Sequence, residues 1–224
     1  TNNEADNGDP EWSPDGKKIT FVSYHYNNED DNYDNAEIYV MNADGSGQTN
    51  LTNNKSYYWN PSWSPDGKKI VLSQNRNNNT EIYVMNVDGS EQIRLTNNNA
   101  FDESPAWSPD GKKITFVSDR DENAEIYVMN ADGSEQIRLT NNNAFDESPA
   151  WSPDEKKITF VSGRDGNEEI YIMNVDGSEQ IRLTNNNTLD QWPIWSPDGK
   201  KITFVSRRDE NAEIYVMNAD GSEQ

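Results

Sequence analysis

Three aspartates sit where a cation could be held. Asp102, Asp146 and Asp190 each lie five residues before a tryptophan, Trp107, Trp151 and Trp195. If these positions recur around a ring, their carboxylates point at a common axis, and oxygen ligands of that kind suit a hard cation such as Ca²⁺. The competing role, and the favoured one, is to cap backbone amides where the chain enters each repeat. Loops of the type Ser118-Asp119-Arg120-Asp121 are acidic but lack the twelve-residue calcium-loop pattern. Arg76, Arg120, Arg164 and Arg208 recur at one position, and each is expected to pair with a nearby Asp or Glu. Covalent catalysis has little to work with. His25 is the only histidine and lies in an insertion, there is no cysteine, and no Gly-x-Ser-x-Gly elbow occurs. The chain therefore reads as non-enzymatic, with no cofactor assigned.

The elements that position these residues are repeats. Trp-Ser-Pro-Asp-Gly-Lys-Lys-Ile begins at Trp12, Trp63, Trp107 and Trp195, and at Trp151 with Glu155 in place of the glycine. After a first interval of 51, the tryptophans are spaced by 44. A fixed period in this range marks a repeat architecture. In residues 104–143 the Ser-Pro-Asp-Gly turn is set by a φ-fixing proline and a glycine free to take positive φ. Lys113–Ser118 and Glu125–Asn130 are β-branched and aromatic and read as strands. Asp132-Gly133 reads as a hairpin turn, and Gln136–Thr140 as a further strand. Each unit then holds four short antiparallel strands, the Trp-terminated one innermost and Gln-Ile-Arg-Leu-Thr outermost. The middle strands are apolar on both faces, so neighbouring units must stack on them. Radial stacking of four-stranded sheets is a β-propeller. The expectation is an all-β, five-bladed propeller forming one domain over residues 1–224, the last blade lacking its outer strand. The five repeat tryptophans are expected in the core between blades. Glu155 is expected to occupy a positive-φ position built for glycine.

Near-identity of the central units exposes where the others differ. Variation gathers at one end of the blades: in the insertion 24–34 of the first unit, and in the entering segments Tyr57-Tyr58-Trp59, Phe101-Asp102-Glu103, Phe145-Asp146-Glu147 and Leu189-Asp190-Gln191-Trp192. Loops on a rigid scaffold are the usual seat of binding, and aromatics are enriched at interfaces. The candidate contact residues are Tyr24, Tyr26, Tyr57, Tyr58, Trp59 and Trp192, with Asp102, Asp146 and Asp190 beside them. They suit a protein partner first. A carbohydrate or small ligand, in the manner of a lectin, is the alternative, as is an amplified or designed set of blades with no specific ligand.

Pro-x-Trp-Ser-Pro-Asp-Gly-Lys-x-Ile, then Ser-Asp-Arg-Asp, then Glu-Ile-Tyr-Val-Met-Asn-Ala-Asp-Gly, then Leu-Thr, resembles the TolB-type propeller repeat, across essentially the whole chain. The resemblance implies a binding platform working in the periplasm or outside the cell. Similar blades also stand beside catalytic domains of prolyl-oligopeptidase-like enzymes. The TolB propeller resembles a six-bladed ring, where five units are seen here.

Composition narrows the partners. With 40 acidic and 19 basic residues, the net charge is −21. That argues against nucleic acid, which selects basic patches, and against an anionic membrane surface. No apolar run is long enough to span a bilayer. A mean hydropathy of −1.07 would suit disorder, but the apolar residues are gathered in strand-sized runs. Starting at Thr1 without methionine or signal peptide, the chain is expected to be a processed or excised form. It should be a monomer, or self-associate through the incomplete last blade, whose strand Glu213–Asn218 would be an open edge.

Overall fold

The computed structural model describes residues 1, 5–27, 32–54 and 56–224. The acidic tip of the insertion, Glu29-Asp30-Asp31, lies outside the described residues. The chain forms two compact units, Thr1–Trp107 and Ser108–Gln224.

The first unit contains β1 (Asp6–Trp12), β2 (Lys18–Asn27), β3 (Asn32–Asn42), β4 (Thr49–Asn50), β5 (Tyr57–Trp63), β6 (Lys69–Arg76), β7 (Asn79–Asn86), β8 (Ile93–Arg94) and β9 (Asp102–Trp107). Strands β1 to β4 and β5 to β8 form two antiparallel blades, linked by one parallel bridge between Ala36 and Tyr57. The second unit contains β10 (Lys113–Ser118), β11 (Glu125–Asn130), β12 (Ile137–Arg138), β13 (Asp146–Trp151), β14 (Lys157–Ser162), β15 (Glu169–Asn174), β16 (Ile181–Arg182), β17 (Asp190–Trp195), β18 (Lys201–Ser206) and β19 (Glu213–Asn218). Its strands pair antiparallel as β10-β11-β12, β13-β14-β15-β16 and β17-β18-β19. The Trp-terminated strand lies at one edge and Ile-Arg at the other, and the last sheet has three strands, as expected from the sequence.

Blade stacking is the core. In the first unit Val22, Ile38 and Val40 on the back of one blade meet Trp63, Ile70, Leu72 and Met85 on the front of the next. In the second unit Val117, Ile126 and Val128 meet Ile158, Phe160, Tyr171 and Met173. Val161 and Ile170 then meet Ile202, Phe204 and Met217. Each buried aliphatic or aromatic side chain contributes roughly 1.5–3 kcal/mol, so these alternating faces dominate the stability.

The repeat tryptophans clamp the stack through their indole N–H. Trp63 donates to Thr20 Oγ1, Trp151 to Thr115 Oγ1 and Trp195 to Thr159 Oγ1, each at 3.0 Å. In each case the acceptor belongs to the preceding blade. Val71 replaces that threonine in β6, and Trp107 donates instead to the Ser62 carbonyl, at 3.2 Å. Trp12 corrects the expectation that all five are core residues. No blade precedes it in its unit, and it is 57% exposed.

The Ser-Pro-Asp-Gly turn closes as the residue types require. Asp15 Oδ1 accepts from Ser13 Oγ and from the Lys17 amide. The same bonds recur at Asp66, Asp110, Asp154 and Asp198. The Lys112 ammonium and amide, with the Ser108 hydroxyl, hold the Asp110 carboxyl down at about 2. Five of the acidic residues are thus held in these turns.

Candidate functional site

The entering segments are not loops. Tyr57, Asp102, Asp146 and Asp190 open or begin strands β5, β9, β13 and β17. Each first strand carries a β-bulge two to three residues in, as the register of β5, β13 and β17 shows. At the bulge Asn60, Ser104, Ser148 and Trp192 take left-handed backbone, φ 48° to 54°. A bulge of this kind re-aims a side chain and ends regular pairing.

Burial divides the candidate residues. Tyr58 is 1% exposed and cannot serve as a surface contact. Its hydroxyl accepts from Asn54 Nδ2 at 2.6 Å and from Gln74 Nε2 at 2.9 Å. Trp59 and Tyr24 are half-buried and pack against the first unit's core. These three belong to the blades: Tyr58 and Trp59 turn to opposite faces of β5, yet both pack on the first unit's core, as does Tyr24 of β2. Tyr26, Tyr57 and Trp192 are exposed, as are Phe101 and Phe145.

The aspartates are also buried. Asp102, Asp146 and Asp190 are fully enclosed. Asn98, Asn142 and Asn186 donate their Nδ2 to them at 2.6 Å. Arg164 pairs with Asp146 at 2.9 Å, and Arg208 with Asp190 at 3.1 Å. Burial pushes the Asp146 carboxyl up, against the pull of Ser162 and Arg164. These carboxylates do not project for contact. Nor does any group of three Asp, Glu, His or Cys side chains among the described residues gather as a cation site. The bonds described for the aspartates come from side chains, and the amides of residues 100, 144 and 188 are met by Asn98, Asn142 and Asn186, whose Oδ1 accepts from them.

The recurring arginines are ordered by more than carboxylates. Arg120, Arg164 and Arg208 each donate Nε to the serine two residues earlier, Ser118, Ser162 and Ser206. Each lies over a tyrosine ring, 4.4–4.7 Å from the centroid. Each also reaches a glutamine, Gln136, Gln180 or Gln224. Arg76 departs from this pattern and is exposed. His25 Nε2 lies 3.6 Å from Glu37 Oε2, and its ring is 6.3 Å from that of Tyr39.

One face has no cover in its unit. In the last sheet Ile194, Ile214 and Val216 are 63%, 81% and 48% exposed, and Trp192 at its end is 57% exposed. The corresponding Ile126 and Val128 of β11 are buried. Strand β19 is the open edge of that sheet, and the open face lies beside it.

Four-stranded antiparallel sheets stacked through alternating apolar faces, with indole–threonine clamps between them, define a propeller-repeat protein. The chain belongs to the TolB beta propeller domain family, whose profile matches residues 8–146 and 141–224. It is similar to the Tol-Pal system protein TolB of Alcanivorax borkumensis, 31% identical over 68 residues, 30% of this chain and 14% of that protein. It is also similar to the uncharacterized peptidase YuxL of Bacillus subtilis, 36% identical over 73 residues, 33% of this chain and 10% of that protein. The matches thus span a small part of either relative. Among solved structures, the putative TolB from Agrobacterium tumefaciens superposes with a TM-score of 0.84 at 27% identity, covering 99% of this chain and 80% of that one. No helix among the described residues is long and apolar enough to cross a membrane.

Proposed function

We propose that this protein is a non-catalytic scaffold that binds a protein partner, with Trp192 at the centre of the contact. The observation that carries this reading is Trp192 itself. It is exposed and held at φ 54°, where the equivalent residues are Asn or Ser. Left-handed backbone costs a bulky residue about 1–2 kcal/mol, and strain of that kind persists where it serves a site. Beside it, Ile194, Ile214 and Val216 extend an apolar surface of a sort that soluble proteins seldom expose without a partner. An exposed tryptophan ringed by aliphatics is the usual make-up of a protein-binding hot spot. The relatedness to TolB supports a platform role and work in the periplasm or outside the cell. The peptidase relative matches over too short a stretch to carry its activity here, and the one histidine lies beside Glu37 and Tyr39.

The test is a photo-crosslinking amino acid placed at 192 and, as a control, at the exposed Ile137 on β12. An envelope extract of the source organism is then probed. A protein captured from position 192, lost with Trp192→Ser and Ile214→Lys in the same chain, supports the reading. Identical capture from 192 and 137 refutes it.

A further inference from the structure

In the blade β5-β8 the arginine cradle has been dismantled, and a cavity of about 680 Å³ lies in its place. Around Arg164 and Arg208 a serine hydroxyl and a buried aspartate hold the guanidinium inward, over a tyrosine and against a glutamine. Here the serine is replaced by Gln74 and the aspartate by Tyr58, and these two bond each other at 2.9 Å. With carboxylate and hydroxyl both gone, neither anchor holds the guanidinium, and Arg76 lies exposed at the cavity wall. Tyr83 and Gln92, the counterparts of the tyrosine and glutamine that receive the arginine elsewhere, line the cavity.

The loop has changed with it. Positions that hold Asp119, Asp121 and Glu122 in the next repeat are Asn75, Asn77 and Asn78 here, and all three line the cavity. In a chain of net charge −21, Arg76 is the one charged group among the described lining residues. The rest of the wall is amides, hydroxyls and the rings of Tyr57 and Tyr83.

We propose that this cavity binds a small polyhydroxylated ligand bearing one carboxylate, a sugar acid in chemical class. Side-chain amides supply paired donors and acceptors of the kind vicinal hydroxyls need. Tyrosine rings offer apolar faces to the C–H side of a pyranose. The planar guanidinium of Arg76 matches a carboxylate bidentately. Removing the three carboxylates from the loop takes away the repulsion that an anion would meet. The site lies wholly in the first unit and is independent of Trp192, so either reading can fail without the other.

Sodium glucuronate and glucose serve as probes, titrated calorimetrically into the intact chain. Glucuronate should bind saturably near ~1 mM, glucose about tenfold more weakly. Arg76→Gln, a change at an exposed side chain, should reduce glucuronate to the glucose level, about tenfold. The paired change Tyr58→Asp with Gln74→Ser restores the cradle, draws Arg76 inward and should abolish binding; a thermal melt reports whether that variant folds. No saturable heat from glucuronate up to about 10 mM, equal affinity for the two sugars, or undiminished binding by Arg76→Gln overturns the proposal.

Discussion

Glu155 should be replaceable by glycine with a gain in stability. It stands in the turn Ser152–Glu155 at φ 63°, where Gly16, Gly67, Gly111 and Gly199 take φ 67° to 70°. The hydrogen bond of the turn is the same: Glu155 N donates to Ser152 O at 3.0 Å and Gly111 N to Ser108 O at 2.9 Å. The Glu155 side chain is exposed and contributes only a minor attraction to Lys112. Relief of left-handed strain is worth about 1–2 kcal/mol. Glycine gives back about 0.4–1 kcal/mol through the freer unfolded chain. Glu155→Gly should thus stabilise by about 1 kcal/mol, raising Tm by roughly 2–4 °C for a chain of this size. Glu155→Gln, which keeps the backbone and removes the charge, should leave Tm within about 1 °C. Gly199→Glu should lose what Glu155→Gly gains, because an added Cβ there meets nothing closer than Pro153 Cδ at 3.8 Å. A neutral or destabilising Glu155→Gly, with Gly199→Glu tolerated, would refute the assignment of strain to this turn. Thermal melts of the four proteins decide it.

Other perturbations test the packing and the buried charges. Gly177 also has positive φ, but a Cβ there would stand 2.6 Å from the Leu139 carbonyl oxygen; Gly177→Ala should cost about 2–4 kcal/mol in a urea titration, and a loss below 1 kcal/mol would contradict that close approach. Arg164→Ala strands the enclosed Asp146 carboxylate and should destabilise by about 3 kcal/mol, with Asp146→Asn recovering part of the loss in a double-mutant cycle. Burial raises the Glu11 carboxyl from 4.5 to about 7, against the pull of the Trp63 amide and the Ser62 hydroxyl. A raised carboxyl binds its proton more tightly in the folded state, so its contribution is full below about 4.5 and is lost as pH rises to about 7. Glu11→Gln should remove that decline from a pH series of melts while leaving the rise below pH 4, which comes from depressed turn aspartates such as Asp110. An unchanged slope between 4.5 and 7 would show that Glu11 is not the group responsible.

The sequence alone determined the repeat and the class of fold. A 44-residue period, a turn whose proline and glycine set its dihedrals, and strands apolar on both faces leave few alternatives to stacked four-stranded sheets. It also determined the strain at Glu155, since position in the repeat fixes backbone geometry. What it did not determine is which side of a strand each residue takes where register is broken. The bulge at Asn60, Ser104, Ser148 and Trp192 shifts alternation by one, burying Tyr58 and the three aspartates and leaving Trp192 outside; one extra residue reverses every side chain beyond it. The fate of the arginines was equally a matter of tertiary contacts. Arg76 and Arg164 hold the same place in the repeat, yet only the surrounding serine, aspartate and glutamine decide whether the guanidinium folds in or stays out. The exposed face of the last sheet follows from neighbours as well: Ile214 and Ile126 are the same residue in the same strand, and only a stacked blade buries one of them.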